Sequence, residues 1–310
     1  MQLMSYHCAM KSGHSHHERS EFYKGAKVVL YCVQIEGERM LMRGYQIAFP
    51  IETPETACPL MGMEGDFAAN AATLEKLGYR YVELLVRDAA ELERTDYETV
   101  LSQRHLQPVA ITTAAIQKQD GLSLLHANPA KSGMAMVRIM DMLPLAAHWG
   151  IPLCIGRNRG MVSDDPGCTM TNLVHIMTQL GKAAEKAGVT LALEPQTVSN
   201  VNNLNTVDEA ISFIQALDTS AVGLHLDTYH MELEEADLIT SIKRAGSYIA
   251  FVHIADTDRK VPGEGSIRFG DVITALKSVG YEGALSAEIK QSPDSKTVAE
   301  RYMKAMKKLL

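Results

Sequence analysis

From residue 45 onward, short apolar runs alternate with segments of helical spacing, eight times in the same order. The runs are YQIAFP (45–50), YRYVELLV (79–86), residues 108–114 of QPVAITTA, IPLCIG (151–156), VTLALE (189–194), AVGLHLD (221–227), YIAFVHI (248–254) and GALSAEI (283–289). Between the first two runs, Phe67, Ala71, Leu74 and Leu77 fall on one helical face and Gly78 stops the pattern. Further helices are predicted over 90–104 and 134–148, over the segment closed by Gly188, and over 294–310. Thr206 with Glu209 three residues on forms a capping box at the head of another. A helix after every strand returns the chain to start the next strand in the same direction, so the sheet must be parallel. An open sheet would place a glycine-rich phosphate turn after its first strand. Here the first run enters PIETPETACP, which has none. The expected fold is therefore α/β, a (β/α)8 barrel, with residues 44–310 as one domain, near the roughly 250 residues such barrels need.

Residues 1–43 lie outside this pattern. Their His-rich opening has two readings, a metal-binding tract at His14, His16 and His17 or an unstructured leader. Glu36-Gly37-Glu38 can be encoded by a purine-rich stretch shortly before Met40, which resembles a translated ribosome-binding site. The natural start is accordingly expected at Met40 or Met42, and intact mass of the natively expressed protein tests this.

Barrels of this kind place their chemistry where the strands end. The last four runs carry Glu194, Asp227, His253 and Glu288 at or one residue from their ends. Each alone is an ordinary buried polar residue, but four hard donors at consecutive tips suit a divalent cation, Mn²⁺ first, with Co²⁺ or Mg²⁺ also accommodated. No cysteine joins them, which argues against a structural zinc site. The net charge of −7 disfavours a nucleic-acid or anionic-membrane partner. No run reaches the roughly 18–20 apolar residues of a membrane span. Five scattered cysteines without CxxC spacing read as the reduced thiols of a cytoplasmic protein.

The segments LDTYHMELEEADL, HIADTDRKVPGEG and ALKSVGYEGALSAEI resemble the ketose 3-epimerases of the D-tagatose and D-psicose type, members of the xylose-isomerase-like barrel superfamily. The resemblance runs over about 44–290 and is closest from 189 onward. It implies that Glu194, Asp227, His253 and Glu288 hold the metal, and that Glu194 and Glu288 also serve as acid and base on opposite faces of a sugar. It further implies that His230 and Arg259 contact the carbonyl end of the substrate, and that the protein forms a homodimer or homotetramer. The chemistry stands without the analogy. A proton α to a ketone is too weakly acidic for an unaided carboxylate, and a cation that stabilises the enediolate removes that difficulty.

One segment departs from the family. Where relatives carry a motif like EPLNRFETNFLNT, this chain reads EPQTVSNVNNLNT. Asn200 stands where a substrate-contacting glutamate is usual, and Gln196 and Thr197 replace leucine and asparagine. The reaction class survives this change better than the substrate. A 3-keto-glycoside, an inosose or a sugar acid remains open, as does a hydroxypyruvate-isomerase-like reaction. More distant readings are an endonuclease IV-like DNA repair nuclease and a nonenzymatic sugar-binding protein; the third and fourth runs lack the histidines the nuclease needs.

Other residues carry two readings each. Glu83 lines the substrate pocket or is a bonded interior carboxylate. Arg157 and Arg159 reach an anionic group or are solvated loop residues. His225 is a packed, hydrogen-bonded histidine or a ligand. Met134, Met136, Met140 and Met142 are pliable core filler. Gly263 and Gly265 form a turn or cradle a phosphate.

Overall fold

A computed structural model describes residues 44–310. The histidine tract and the proposed start site lie outside the described residues. Eight parallel strands close in sequence order, β1 (Gln46–Glu52), β2 (Tyr81–Leu85), β3 (Gln107–Thr112), β4 (Leu153–Ile155), β5 (Leu191–Leu193), β6 (Val222–Asp227), β7 (Ile249–Ile254) and β8 (Ala284–Ala287), with β8 pairing back onto β1. The expected (β/α)8 barrel is thus the observed fold.

Around it run α1 (Phe67–Lys76), α2 (Ala89–Leu92), α3 (Tyr97–Gln103), α4 (Ala114–Asp120), α5 (Pro129–Trp149), α6 (Met170–Ala187), α7 (Val207–Gln215), α8 (Thr228–Glu234), α9 (Leu238–Ala245), α10 (Phe269–Ser278) and α11 (Ser295–Leu309). Helix ends follow local chemistry. Thr206 and Glu209 make the expected capping box on α7. Gly188 ends α6 at φ 70°, in the left-handed region where a β-carbon is penalised. The helix predicted over 90–104 is instead α2 and α3, broken over residues 93–96. Helices α4 and α8 were not legible as separate elements.

Two apolar layers position the site. The larger fills the space between strands and helices, with Phe49, Leu84, Ile111, Leu193 and Tyr302 among its members. Met142 belongs to it, and Met136 and Met140 pack against it, whereas Met134 is exposed. The smaller, inside the barrel, is Ala48, Val109, Ala110, Cys154, Ala192, Phe251 and Ala284. Its mostly small apolar side chains floor the barrel, and Thr112, Glu194, His253 and Ser286 stand two residues beyond Ala110, Ala192, Phe251 and Ala284.

Candidate active site

Inward-facing residues recur every second position along a strand. On β6 these are His225 and Asp227, paired in register with Phe251 and His253 of β7; His253 in turn pairs with Ser286 of β8. Glu194 follows β5 and Glu288 follows β8 directly. The fold therefore brings all four expected tip residues to one place. His253 Nδ1 lies 3.4 Å from Glu288 Oε2 and 3.7 Å from Asp227 Oδ2. One donor atom each from Glu194, Asp227, His230 and Glu288 falls within 4.8 Å of the others.

Glu194 Oε1 and His253 Nδ1 are buried without a hydrogen-bond partner, and Glu288 Oε2 beside them meets the Arg259 guanidinium. Unpaired buried polar atoms are costly, and two that converge on carboxylate oxygens suit a divalent cation. Electrostatics agree. Burial first, then the charges of Glu288 and Asp227, push Glu194 up to about 8. Burial likewise raises Glu288, against the pull of Arg259 and His253. Burial also works against the Asp227 charge, but Arg259 and His230 outweigh it and hold Asp227 well below the carboxylate range. A bound cation relieves the crowding of the carboxylates.

Glu83, read as a pocket residue or a bonded interior carboxylate, lies beneath the cluster and is fully buried. Its carboxylate accepts from Thr112 Oγ1 and, at 2.6 Å, from Ser286 Oγ. His253 Nε2 bridges both its oxygens at 3.0 and 2.9 Å. Because the carboxylate accepts, Nε2 carries a proton, and Nδ1 is the ring nitrogen that faces the cluster. Burial depresses the His253 pKa, but Glu83 and Glu288 outweigh that and hold it well above its ordinary value.

Arg259 enters from the loop after β7. Its Nη1 contacts Asp227 Oδ2 at 2.5 Å and Glu288 Oε2 at 2.6 Å, its Nη2 lies 2.8 Å from His230 Nε2, and the guanidinium stacks 4.3 Å from the Tyr229 ring. Asp258 and Arg259 both have left-handed backbones, φ 59° and 61°. Such strain in bulky residues persists only where the surroundings impose it. Here Asp256 imposes it, accepting from the amides of Thr257, Gly263, Gly265 and Ile267. Those glycine amides are therefore engaged by the protein's own carboxylate, and the turn reading of PGEG holds over a phosphate cradle.

His230 Nδ1 faces the Thr197 amide at 3.2 Å, and its Nε2 faces Arg259 Nη2 and lies 3.9 Å from Glu194 Oε1. His230 thus stands between Arg259 and Glu194 at the edge of the cluster. Asn200 sits on the turn after β5, half-buried, and its side chain makes no hydrogen bond to the cluster. His225 packs edge-on against His253, with ring centroids 4.1 Å apart. It is packed as expected, but both ring nitrogens lack partners. One donor atom each from Glu194, His225 and His253 also gathers within 4.8 Å.

Sequence reasoning missed two residues. Arg159 is not a solvated loop residue but is fully buried, with Nη1 donating to the carbonyls of Gly156 and Glu194 and Nη2 to those of Asn203 and Leu204. It fixes the backbone on both sides of the Glu194 tip, whereas Arg157 is exposed. Gln196 donates from Nε2 to Glu194 Oε2. Its place in the departing segment was the available signal.

The family model described as xylose isomerase-like TIM barrel matches residues 71–309. A ketose 3-epimerase of Arthrobacter globiformis is 32% identical over 217 residues, covering 68% of this chain and 73% of that protein. A D-psicose 3-epimerase of Enterocloster bolteae is 25% identical over 237 residues, covering 72% and 76%. Among solved structures, a D-allulose 3-epimerase from Methylomonas sp. in complex with D-allulose superposes with a TM-score of 0.70 at 22% identity, covering 86% of this chain and 98% of that one.

Proposed function

This chain belongs to the xylose isomerase-like TIM-barrel family and, within it, to the ketose 3-epimerases, and on that footing we propose that it inverts carbon 3 of a ketose or keto-sugar with Glu194 and Glu288 as the proton-transfer pair. The observation that carries this reading is the approach of Glu194 and Glu288 to within 4.8 Å at the barrel mouth, with Glu194 Oε1 and His253 Nδ1 left unpartnered beside them. Glu194, Asp227, His253 and Glu288 are the proposed ligands of one divalent ion, Mn²⁺ by preference. When bound, that ion supplies a positive charge that stabilises the developing enediolate.

The protein's own residues do the rest. One glutamate removes the carbon 3 proton, the electron pair moves into the enediolate, and the other glutamate returns a proton to the opposite face. Transfers of this kind typically contribute about 10²–10⁴-fold. His230, between Glu194 and Arg259, contacts the carbonyl end of the substrate. Arg259 holds the carbonyl end and balances the carboxylates. Glu83 acts through His253 and does not touch substrate. We take residues 44–310 as the functional domain, working as a homodimer or homotetramer in the cytoplasm. Cys58, Cys154 and Cys168 are unpaired thiols, and among the described residues no helix is long and apolar enough to cross a membrane.

Asn200 and Gln196 favour a second substrate class, an inosose or keto-glycoside, at the same site. Solvent deuterium exchange separates the readings. With Mn²⁺ and a panel of ketoses, inososes and keto-glycosides in D₂O, label is expected at the carbon 3 position of an accepted ketose and is lost on chelation. Label at carbon 1 would replace epimerisation with isomerisation. Metal-loaded protein that exchanges no member of the panel would overturn the proposal.

A further inference from the structure

The loop after β5 carries an amide where the ketose 3-epimerases that this chain resembles carry leucine. Gln196 is buried, and its side chain does two unlike things. Nε2 donates to Glu194 Oε2, while Oε1 has no partner. Turning the amide over would set two oxygens against each other, so this orientation is the one the carboxylate requires. The segment around it is tied at three points. Arg159 holds the Glu194 carbonyl at 2.9 Å, Asn205 Nδ2 holds the Gln196 carbonyl at 2.6 Å, and the Thr197 amide is held by His230.

The β4 turn is shaped around the same pair. A β-carbon on Gly156 would stand 2.4 Å from Glu194 Oε2 and 2.7 Å from Gln196 Nε2. Only glycine leaves room for the carboxylate and the amide together. A leucine at 196 would pack without an unpaired oxygen, so stability alone does not account for glutamine here.

We propose that Gln196, seated against Gly156, is the positioning residue for Glu194: it ties Oε2 and so fixes Oε1 toward the metal and the reacting carbon. A carboxylate has two equivalent oxygens and a soft terminal torsion. Holding one oxygen removes that freedom, and orientation of this kind is worth up to about 10²-fold in rate. This inference rests on the proposed roles of Glu194.

The test compares wild type with Gln196→Leu, with the near-isosteric Gln196→Met, which keeps the volume but has no donor, and with Gly156→Ala. Mn²⁺ affinity is measured by calorimetry, and kcat and KM by carbon 3 exchange. Gln196→Leu should weaken Mn²⁺ by about tenfold or more and lower kcat by about 10- to 100-fold, with KM little changed and thermal stability equal or higher. Gln196→Met and Gly156→Ala should follow in both binding and kcat. A merely structural glutamine would instead lower stability and leave the bound metal and kcat per folded molecule intact. That result, or wild-type values in Gln196→Leu, would overturn the inference. Absence of exchange in wild type would sink the functional reading, yet the Mn²⁺ comparison needs no substrate and still judges the tie.

Discussion

Glu83→Gln replaces one oxygen by an amide nitrogen of nearly the same size, so packing beneath the site should hold. Its effect comes from proton bookkeeping. His253 Nε2 lies 3.0 and 2.9 Å from the two oxygens of Glu83, so either amide orientation sets an NH₂ group against it. The imidazole escapes that clash by moving its proton to Nδ1, and a protonated Nδ1 has no lone pair for a metal. The carboxylate's charge is lost as well. Outer partners of metal-bound histidines are typically worth 10–100-fold in affinity, or about 1.4–2.7 kcal/mol. The relay here is buried and Glu83 engages three side chains, which places the expected loss toward the upper end. Mn²⁺ titration by calorimetry, with thermal unfolding of the metal-free protein as a folding control, reads it directly. A folded Glu83→Gln protein that binds Mn²⁺ as tightly as wild type would refute both the tautomer argument and the assignment of His253 as a ligand.

Four further outcomes are expected. Glu194→Gln and Glu288→Gln should each lose about 10²–10⁴-fold in exchange rate, and near-normal turnover in either would remove the two-glutamate mechanism. Arg159→Met strands four main-chain carbonyls and should cost about 3–5 kcal/mol in urea unfolding; a change under about 1 kcal/mol would show that the clamp is not structural. Glu52, at the tip of β1, is pushed up to about 7 by burial, so the native state binds its proton more tightly than the unfolded chain does and stability falls as pH rises from about 4.5 through 7. Glu52→Gln keeps an acceptor for the Leu60 amide, and its stability advantage over wild type should grow between pH 5 and pH 8; a constant gap would dismiss the buried carboxylate as its cause. His225→Leu should leave Mn²⁺ affinity well short of a tenfold loss and thermal stability equal or higher, because the ring it removes has two unpaired nitrogens, whereas a loss of metal would make His225 a ligand.

The barrel was readable because its strands are continuous apolar runs and its helices carry local stop signals, such as Gly188 and the Thr206 box. The break between α2 and α3 was not, since Leu92, Tyr97, Val100 and Leu101 keep one buried face across it. Helix α8 starts on the residue after Asp227, leaving no linker to mark it. The strand tips announce themselves because a polar residue at the end of an apolar run is conspicuous. What supports them is silent. Arg159 is satisfied almost wholly by main-chain carbonyls, which no side-chain pattern records. Gln196 and Glu194 stand two residues apart, but only the fold decides that their side chains meet.

The relay between Glu83 and His253 joins residues 170 positions apart, and the hydrogen bond from Ser286 spans 203. Every proposed ligand nevertheless lies in the second half of the chain. That half spells out the site but cannot assemble it, because the group that aims His253 arrives on β2 and is held in place from β8. Long-range pairings of this kind form late, after the entropy of closing the intervening chain has been met. On a ribosome, the ligand set would acquire its working geometry only as the last strand docks against the first. A chain truncated before Ser286 would lose that geometry even with Glu194, Asp227 and His253 all present.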